Sequence, residues 1–251
     1  MASTLLIDVG NTTVDFRVSN NINQEIVKLE RIWTKDESKQ NETFLKEIFK
    51  NGFEKIIFSS VVPNWSQLIY KVTKELEIPT LEVKNSFSHD CDDFKNISLE
   101  KLGSDFIANY YGVVKNLKLS DCVVVSMGTA TTIFKIEKHK FQGTIIAAGL
   151  KIALESLVKN AALLSGQEFN FSNALYGQDT KTAIEIGSIN GHFEMIKGLI
   201  NNFKLGPDVP IIITGGNAHV LYDQFRGQNY QIIEELIFLG LQWLSSQKND
   251  K

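Results

Sequence analysis

Leu5-Leu6-Ile7-Asp8-Val9-Gly10-Asn11-Thr12-Thr13 runs straight into Val14-Asp15-Phe16-Arg17-Val18. An apolar run ends in a carboxylate, and a glycine, an amide and two hydroxyls follow at once. Val14, Phe16 and Val18 then alternate with Asp15 and Arg17, a period of two that predicts a second strand. GNTT is therefore read as a hairpin turn, not as the strand-to-helix loop of a Walker A site. A glycine in such a turn lets backbone approach a ligand closely and leaves N–H groups to point at phosphate oxygens. Asn11, Thr12 and Thr13 add side-chain donors. One such turn alone is more often just a turn.

The plan recurs. Asp121 to Thr132, DCVVVSMGTATT, again sets an apolar run, a polar residue two before a glycine, and a row of hydroxyls, with Ile133, Phe134 and Ile136 continuing as strand. The repetition predicts a duplicated domain with a cleft between its halves, residues 1–117 and 118–251. Facing turns suit an oligophosphate, with Gly128, Thr129 and Thr131 answering Gly10 and Asn11. Asp8 at the first strand end suits a magnesium ion or its waters, because that hard cation prefers carboxylate oxygen. A third turn, Gly215-Gly216 in IIITGGNAHVL, lies between a strand and a helix, a place for base and ribose.

Between these turns, helices are predicted over Glu42 to Lys50, closed by Gly52, and over Asn64 to Leu76. KIIFSSVVP reads as a buried strand ending at Pro63, and residues 84–102 as a polar surface loop. Further helices are predicted from Ser104 to Lys115, in LKIALESLVKNAALL, from Asp179 onward, and as a closing amphipathic helix from Glu234 to Ser246. Phosphoryl transfer needs positioning, charge stabilisation and one group to accept the hydroxyl proton. Asp105 in GSDF is the candidate, although on spacing alone an acid there is more often an electrostatic partner of the helix start, stabilising by about 0.3 to 1 kcal/mol. His89, His139, His192 and His219 show no metal-ligand spacing, and the aromatics of NWSQLIY and FLGLQWL fall at core spacing.

The chain has 251 residues, 43% of them hydrophobic and 22% charged, with a net charge of -3. That balance is globular and gives no electrostatic case for nucleic acid, so a small-molecule or protein partner is expected. Cys91 and Cys122 are too few for a disulfide framework or a cysteine metal site. MASTLLIDVG lacks a basic leader, and no run reaches the roughly 18 apolar residues of a membrane span. A cytoplasmic location without membrane contact is expected, and the sequons at Asn41 and Asn96 carry no glycosylation meaning.

DVGNTT, SSVVP, GSD, GTATT, GQDTKTA and TGGNA, in that order, resemble the type III pantothenate kinases of the acetate and sugar kinase, Hsc70 and actin superfold. The resemblance covers nearly the whole chain. It implies an α/β fold of duplicated actin-like (ribonuclease H-like) ATPase domains, each a mixed sheet flanked by helices. It also implies phosphorylation of pantothenate by ATP, the first step of coenzyme A synthesis, in a homodimer using magnesium and a monovalent cation, potassium or ammonium. By position, Asp8 to Asp15 would form the first phosphate loop, with Asp8, Val9, Gly10, Asn11, Thr12 and Thr13 meeting the nucleotide. Gly128, Thr129, Gly215 and Gly216 would be its other contacts. Gly103, Ser104, Asp105 and Phe106 would line the pantothenate site with Asp105 as base, and Thr180 would be a substrate contact from the dimer region.

Five positions depart from the family's pattern. Phe106 stands where an arginine closes the GxDR motif, and it cannot hold a carboxylate. Ser126 stands where an acid helps bind the monovalent cation. Phe134 replaces an aspartate, Ala148 a proline and Phe94 a tyrosine. The reading is an active pantothenate kinase. Its alternatives are a nucleotide-binding homologue with a regulatory or scaffolding role, or a kinase for another small hydroxyl acceptor.

Overall fold

The computed structural model describes residues 3–20, 23–86, 92–95, 97–159 and 167–247. His89, Cys91 and the end of the helix predicted through Leu164 lie outside the described residues. The chain divides into two compact units, one running to Leu119 and taking in the chain from Leu236, the other Ser120–Glu235. The units are therefore not the two continuous halves expected, because the closing helix packs in the first.

In the first unit, β1 (Ser3–Val9) and β2 (Thr13–Asn20) form the expected hairpin, and β3 (Ile26–Trp33) adds an edge strand that the sequence reading passed over. β4 (Lys55–Ser60) and β5 (Thr80–Glu82) complete a sheet in the order β3-β2-β1-β4-β5. β1 pairs antiparallel with β2 and parallel with β4. Leu5, Ile7, Val9, Val14, Phe16, Ile56 and Phe58 point to one face and pack with Leu45 and Phe49 of α1 (Glu42–Phe49) and Trp65, Ile69 and Val72 of α2 (Pro63–Glu75). Asn41 caps α1 by accepting the Phe44 N–H at 2.9 Å, and Pro63 opens α2, where its missing N–H costs nothing.

The other face carries α3 (Ser104–Tyr110), which runs on as a π-helical stretch Tyr111–Asn116, and α8 (Leu236–Ser246). Under this cover Asp15 is buried. The packing also explains why α8 is buried at Leu236, Phe238, Leu241 and Leu244 instead of showing one wet face. The two helices approach so closely that a Cβ at Gly240 would overlap the Ala108 carbonyl, and one at Gly112 the Leu236 carbonyl. Residues 84–102 are not purely surface either, since Phe94 and Leu102 are buried, Phe94 edge-on to Tyr110 at 4.7 Å.

The second unit repeats the plan. β6 (Cys122–Met127), β7 (Ala130–Glu137), β8 (Lys140–Ala148), β9 (Ile211–Thr214) and β10 (Gln231–Ile232) stand in the order β8-β7-β6-β9-β10. As in the first sheet, the hairpin partners are antiparallel and the other two strands parallel. α4 (Leu150–Val158) follows β8. α5 (Thr180–Ile184) continues through a π-helical stretch, Glu185–Asn190, into α6 (Gly191–Asn201), the long helix expected from Asp179. Phe193, Ile196 and Ile200 of α6 and Phe225 of α7 (Tyr222–Gly227) pack with Val123, Val125, Met127 and Ile213. Among the described residues no helix is long and apolar enough to cross a membrane.

Candidate functional site

In the first unit the β1–β2 hairpin closes when the Gly10 N–H donates to the Thr13 carbonyl at 2.9 Å. Asn11 and Thr12 form its exposed tip, whereas Val9 is buried and has only backbone to offer a ligand. Thr34 pins the turn from behind, its hydroxyl donating to the Gly10 carbonyl at 2.6 Å and its N–H to the Thr12 carbonyl at 2.9 Å. The Trp65 indole donates in turn to the Thr34 carbonyl at 3.1 Å. The Arg31 guanidinium donates to the Thr13 hydroxyl at 3.3 Å.

Asp8 lies opposite Asp15 on β2 and Ser59 on β4. Burial, and then the charges of Asp105 and Asp15, push its carboxyl up to about 7 against the pull of Arg31 and Arg17. Asp105 is also raised, by burial, with N–H groups of its own helix start and Lys84 drawing it back. Asp15 keeps one buried oxygen without a hydrogen-bond partner, its other oxygen lying 3.5 Å from Arg17. The carboxylates of Asp105 and Asp15 thus both act on Asp8 at the end of β1.

Asp105 is placed by serines. Ser104, fully buried, donates to the Ser60 carbonyl at 2.7 Å and accepts from the Ser59 hydroxyl at 3.0 Å. Ser104 is thus committed to joining α3 to the end of β4. Gly103 makes room for the acid, since a Cβ there would collide with the Asp105 carboxylate.

In the second unit the β6–β7 turn closes when the Gly128 N–H donates to the Ala130 carbonyl at 2.9 Å. Asn217 clasps it from the third turn, its amide donating to the Gly128 carbonyl at 2.8 Å and its N–H to the Met127 carbonyl at 2.9 Å. Gly215, at φ +94°, passes so near Met127 that a Cβ would come within 2.6 Å of its backbone. Gly149 lies equally close on the other side, 2.7 Å from a would-be Cβ to the Gly128 carbonyl. Thr131 is buried and shares a hydrogen bond of 2.8 Å with His192, whose imidazole burial pushes below its ordinary pKa. Gly128, Thr129, Gly215 and Gly216 are therefore brought together in one unit, in turns built to expose backbone.

The model of the type III pantothenate kinase family matches residues 4–202. The chain belongs to that family. A type III pantothenate kinase from Mycoplasma mobile is 32% identical over 94% of this chain and 96% of its own. A Campylobacter jejuni structure described as a Baf family transcriptional activator superposes with a TM-score of 0.60 at 21% identity, covering 94% of each chain. The activator of 2-hydroxyisocaproyl-CoA dehydratase from Clostridium difficile, solved with bound ADPNP, gives 0.51 at 12% identity over 99% of each chain. Those two structural likenesses speak for the fold alone, that of the duplicated actin-like ATPases.

In this type III pantothenate kinase, three of the positions read as departures from the family's pattern lie in the core. Phe106 is buried, Phe134 is fully buried and stacked on Phe141 at 5.1 Å, and Phe94 packs on Tyr110. Ser126 stands between Thr132 and Thr214 in a neutral row across three strands. Thr180 is exposed at the start of α5, which Asp179 caps by accepting the Thr182 N–H at 2.9 Å. Thr34, Gly149 and Asn217 escaped the sequence reading as site residues. Asn217 did carry a signal, its place inside TGGNA, but the double glycine drew attention first.

Proposed function

We propose that this kinase transfers the terminal phosphoryl group of ATP to the primary hydroxyl of pantothenate, opening coenzyme A synthesis in the cytoplasm. The observation that carries the reading is the pair Asp8 and Asp105, one at the end of β1 and raised in part by the charge of the other, which stands at the start of α3. A carboxyl raised by burial is a better proton acceptor near neutral pH than a solvated one. Asp105 therefore takes the hydroxyl proton as the oxygen attacks phosphorus. Within the second unit the Gly128–Thr129 and Gly215–Gly216 turns present backbone to the nucleotide.

Magnesium fits Asp8. The charges of Asp105 and Asp15 raise Asp8, and Asp15 has a buried oxygen without a partner, which a cation or its waters would relieve. Among the described residues no cluster of three acidic, histidine or cysteine side chains forms a complete metal cage, as suits an ion that phosphates help to hold. When bound, magnesium neutralises phosphate charge. The neutral Ser126 row offers a monovalent cation no carboxylate, so turnover is expected without a strict need for potassium or ammonium.

The second unit exposes Ile146, Ile152, Leu157, Leu175 and Tyr176. This apolar set supports a homodimer that covers it.

The test is mass-spectrometric detection of phosphorylated pantothenate from purified protein and magnesium-ATP, beside Asp105→Asn. Product from the wild type alone supports the reading. ATP binding without product would favour another acceptor or a non-catalytic role, to which the buried Phe106 points.

A further inference from the structure

The acceptor under this reading is a carboxylate, and a carboxylate leaving water needs a cation or several N–H donors. The helix that carries Asp105 supplies none at Phe106, whose ring is buried. Arg17 is spent on Asp15 and the Phe238 ring, 4.2 Å away, and Arg31 on Thr13. Lys115 pairs with Asp93.

Lys84 differs. It is exposed in the turn after β5 and closes no salt bridge among the described residues. It lines a cavity of about 340 Å³ together with Ser60, Val62, Ser66, Tyr70 and Glu82. That volume lies within the range of small-ligand sites, about 300–1,000 Å³. Ser60 ties this cavity to the chemistry, because its carbonyl holds Ser104 and hence the start of α3. The opposite charge is already engaged, with Glu82 accepting from the hydroxyls of Ser66 and Tyr70 at 3.2 Å each. Asn85 donates to the Tyr70 hydroxyl at 2.9 Å and fixes that wall.

We infer that Lys84 is the specificity-determining residue that binds the acceptor's carboxylate in this cavity, taking the part that Phe106 cannot; the inference rests on the proposed pantothenate kinase activity. Lys84 also lies near enough to draw the Asp105 carboxyl downward. The cavity thus abuts, through Ser60, the helix start that carries Asp105.

Steady-state kinetics with two acceptors test this. One is pantothenate and the other panthenol, in which a neutral alcohol replaces the carboxylate. Lys84→Gln is expected to raise the KM for pantothenate about tenfold, the loss of one charge-assisted hydrogen bond, with kcat nearly kept. The same substitution should leave the KM for panthenol in place, and Lys84→Arg should restore most of the pantothenate affinity. An unchanged pantothenate KM in Lys84→Gln, or an equal loss with both acceptors, would overturn the assignment while leaving the kinase reading intact. Absence of turnover by the wild type with either acceptor would overturn the kinase reading and the assignment with it.

Discussion

The Ser104 hydroxyl donates to the Ser60 carbonyl at 2.7 Å, and this bond anchors the first turn of the Asp105 helix to the strand beside Asp8. Ser104→Ala leaves the Ser60 carbonyl unmet in a buried place, at a cost of about 1–3 kcal/mol. Urea denaturation should show the loss, and kcat should fall further than magnesium-ATP affinity, because the proton acceptor loses its anchor while the phosphate turns do not.

Asp105→Asn keeps the shape and removes the base. Product formation is expected to fall by about 10² to 10⁴-fold, the usual worth of general base catalysis, with ATP binding by calorimetry retained. A variant as fast as the wild type would remove Asp105 from the mechanism.

Asp8 makes stability depend on pH in an unusual direction for an acid. Its folded value of about 7 lies above the ordinary 3.8, so the folded chain holds more protons than the unfolded one in between. Stability of the ligand-free protein therefore declines as pH rises from about 4 to about 7 and levels off above, and the raised Asp105 adds in the same sense. Asp8→Asn should flatten the slope and raise Tm at pH 8, by at most on the order of 4 kcal/mol in stability. Magnesium-ATP affinity should drop in the same variant.

Asn217→Ala removes the side-chain clasp on the Gly128 carbonyl. About 1 kcal/mol of stability is expected to go, with a rise in the KM for ATP and little change in that for the acceptor.

Gly240→Ala tests the crossing of α3 and α8. Its Cβ would run into the Ala108 carbonyl, backbone that cannot swing aside, so the helices must part. Overpacking of this kind costs about 1–3 kcal/mol, readable as a lower Tm.

Much of this was legible in the sequence, and particular residues show why. Val14, Phe16 and Val18 revealed the hairpin because alternation reports a strand with one face on a core. The echo of GNTT in GTATT revealed the second unit, and the two sheets do share one strand order. The return of α8 to the first unit left no local mark, because which unit a helix joins depends on contacts far apart in the chain. β3 was missed as an edge strand, where Val27, Leu29 and Trp33 remain exposed and blur the pattern. Thr34 gave nothing to read, since a lone threonine has no period and its two bonds to the hairpin exist only once β3 is paired. The Ser59–Ser104 bond was illegible for the same reason.

The helix Leu236–Ser246 also sets an order of events during synthesis. Ser120–Glu235 is continuous and can form its core as soon as it clears the ribosome, but the earlier segment must wait with its α3 face bare until Leu236–Ser246 arrives. The first half made is thus the last half finished, and a nascent chain stalled before Leu236 would expose Ala108 and Gly112 to chaperones rather than carry a working Asp105.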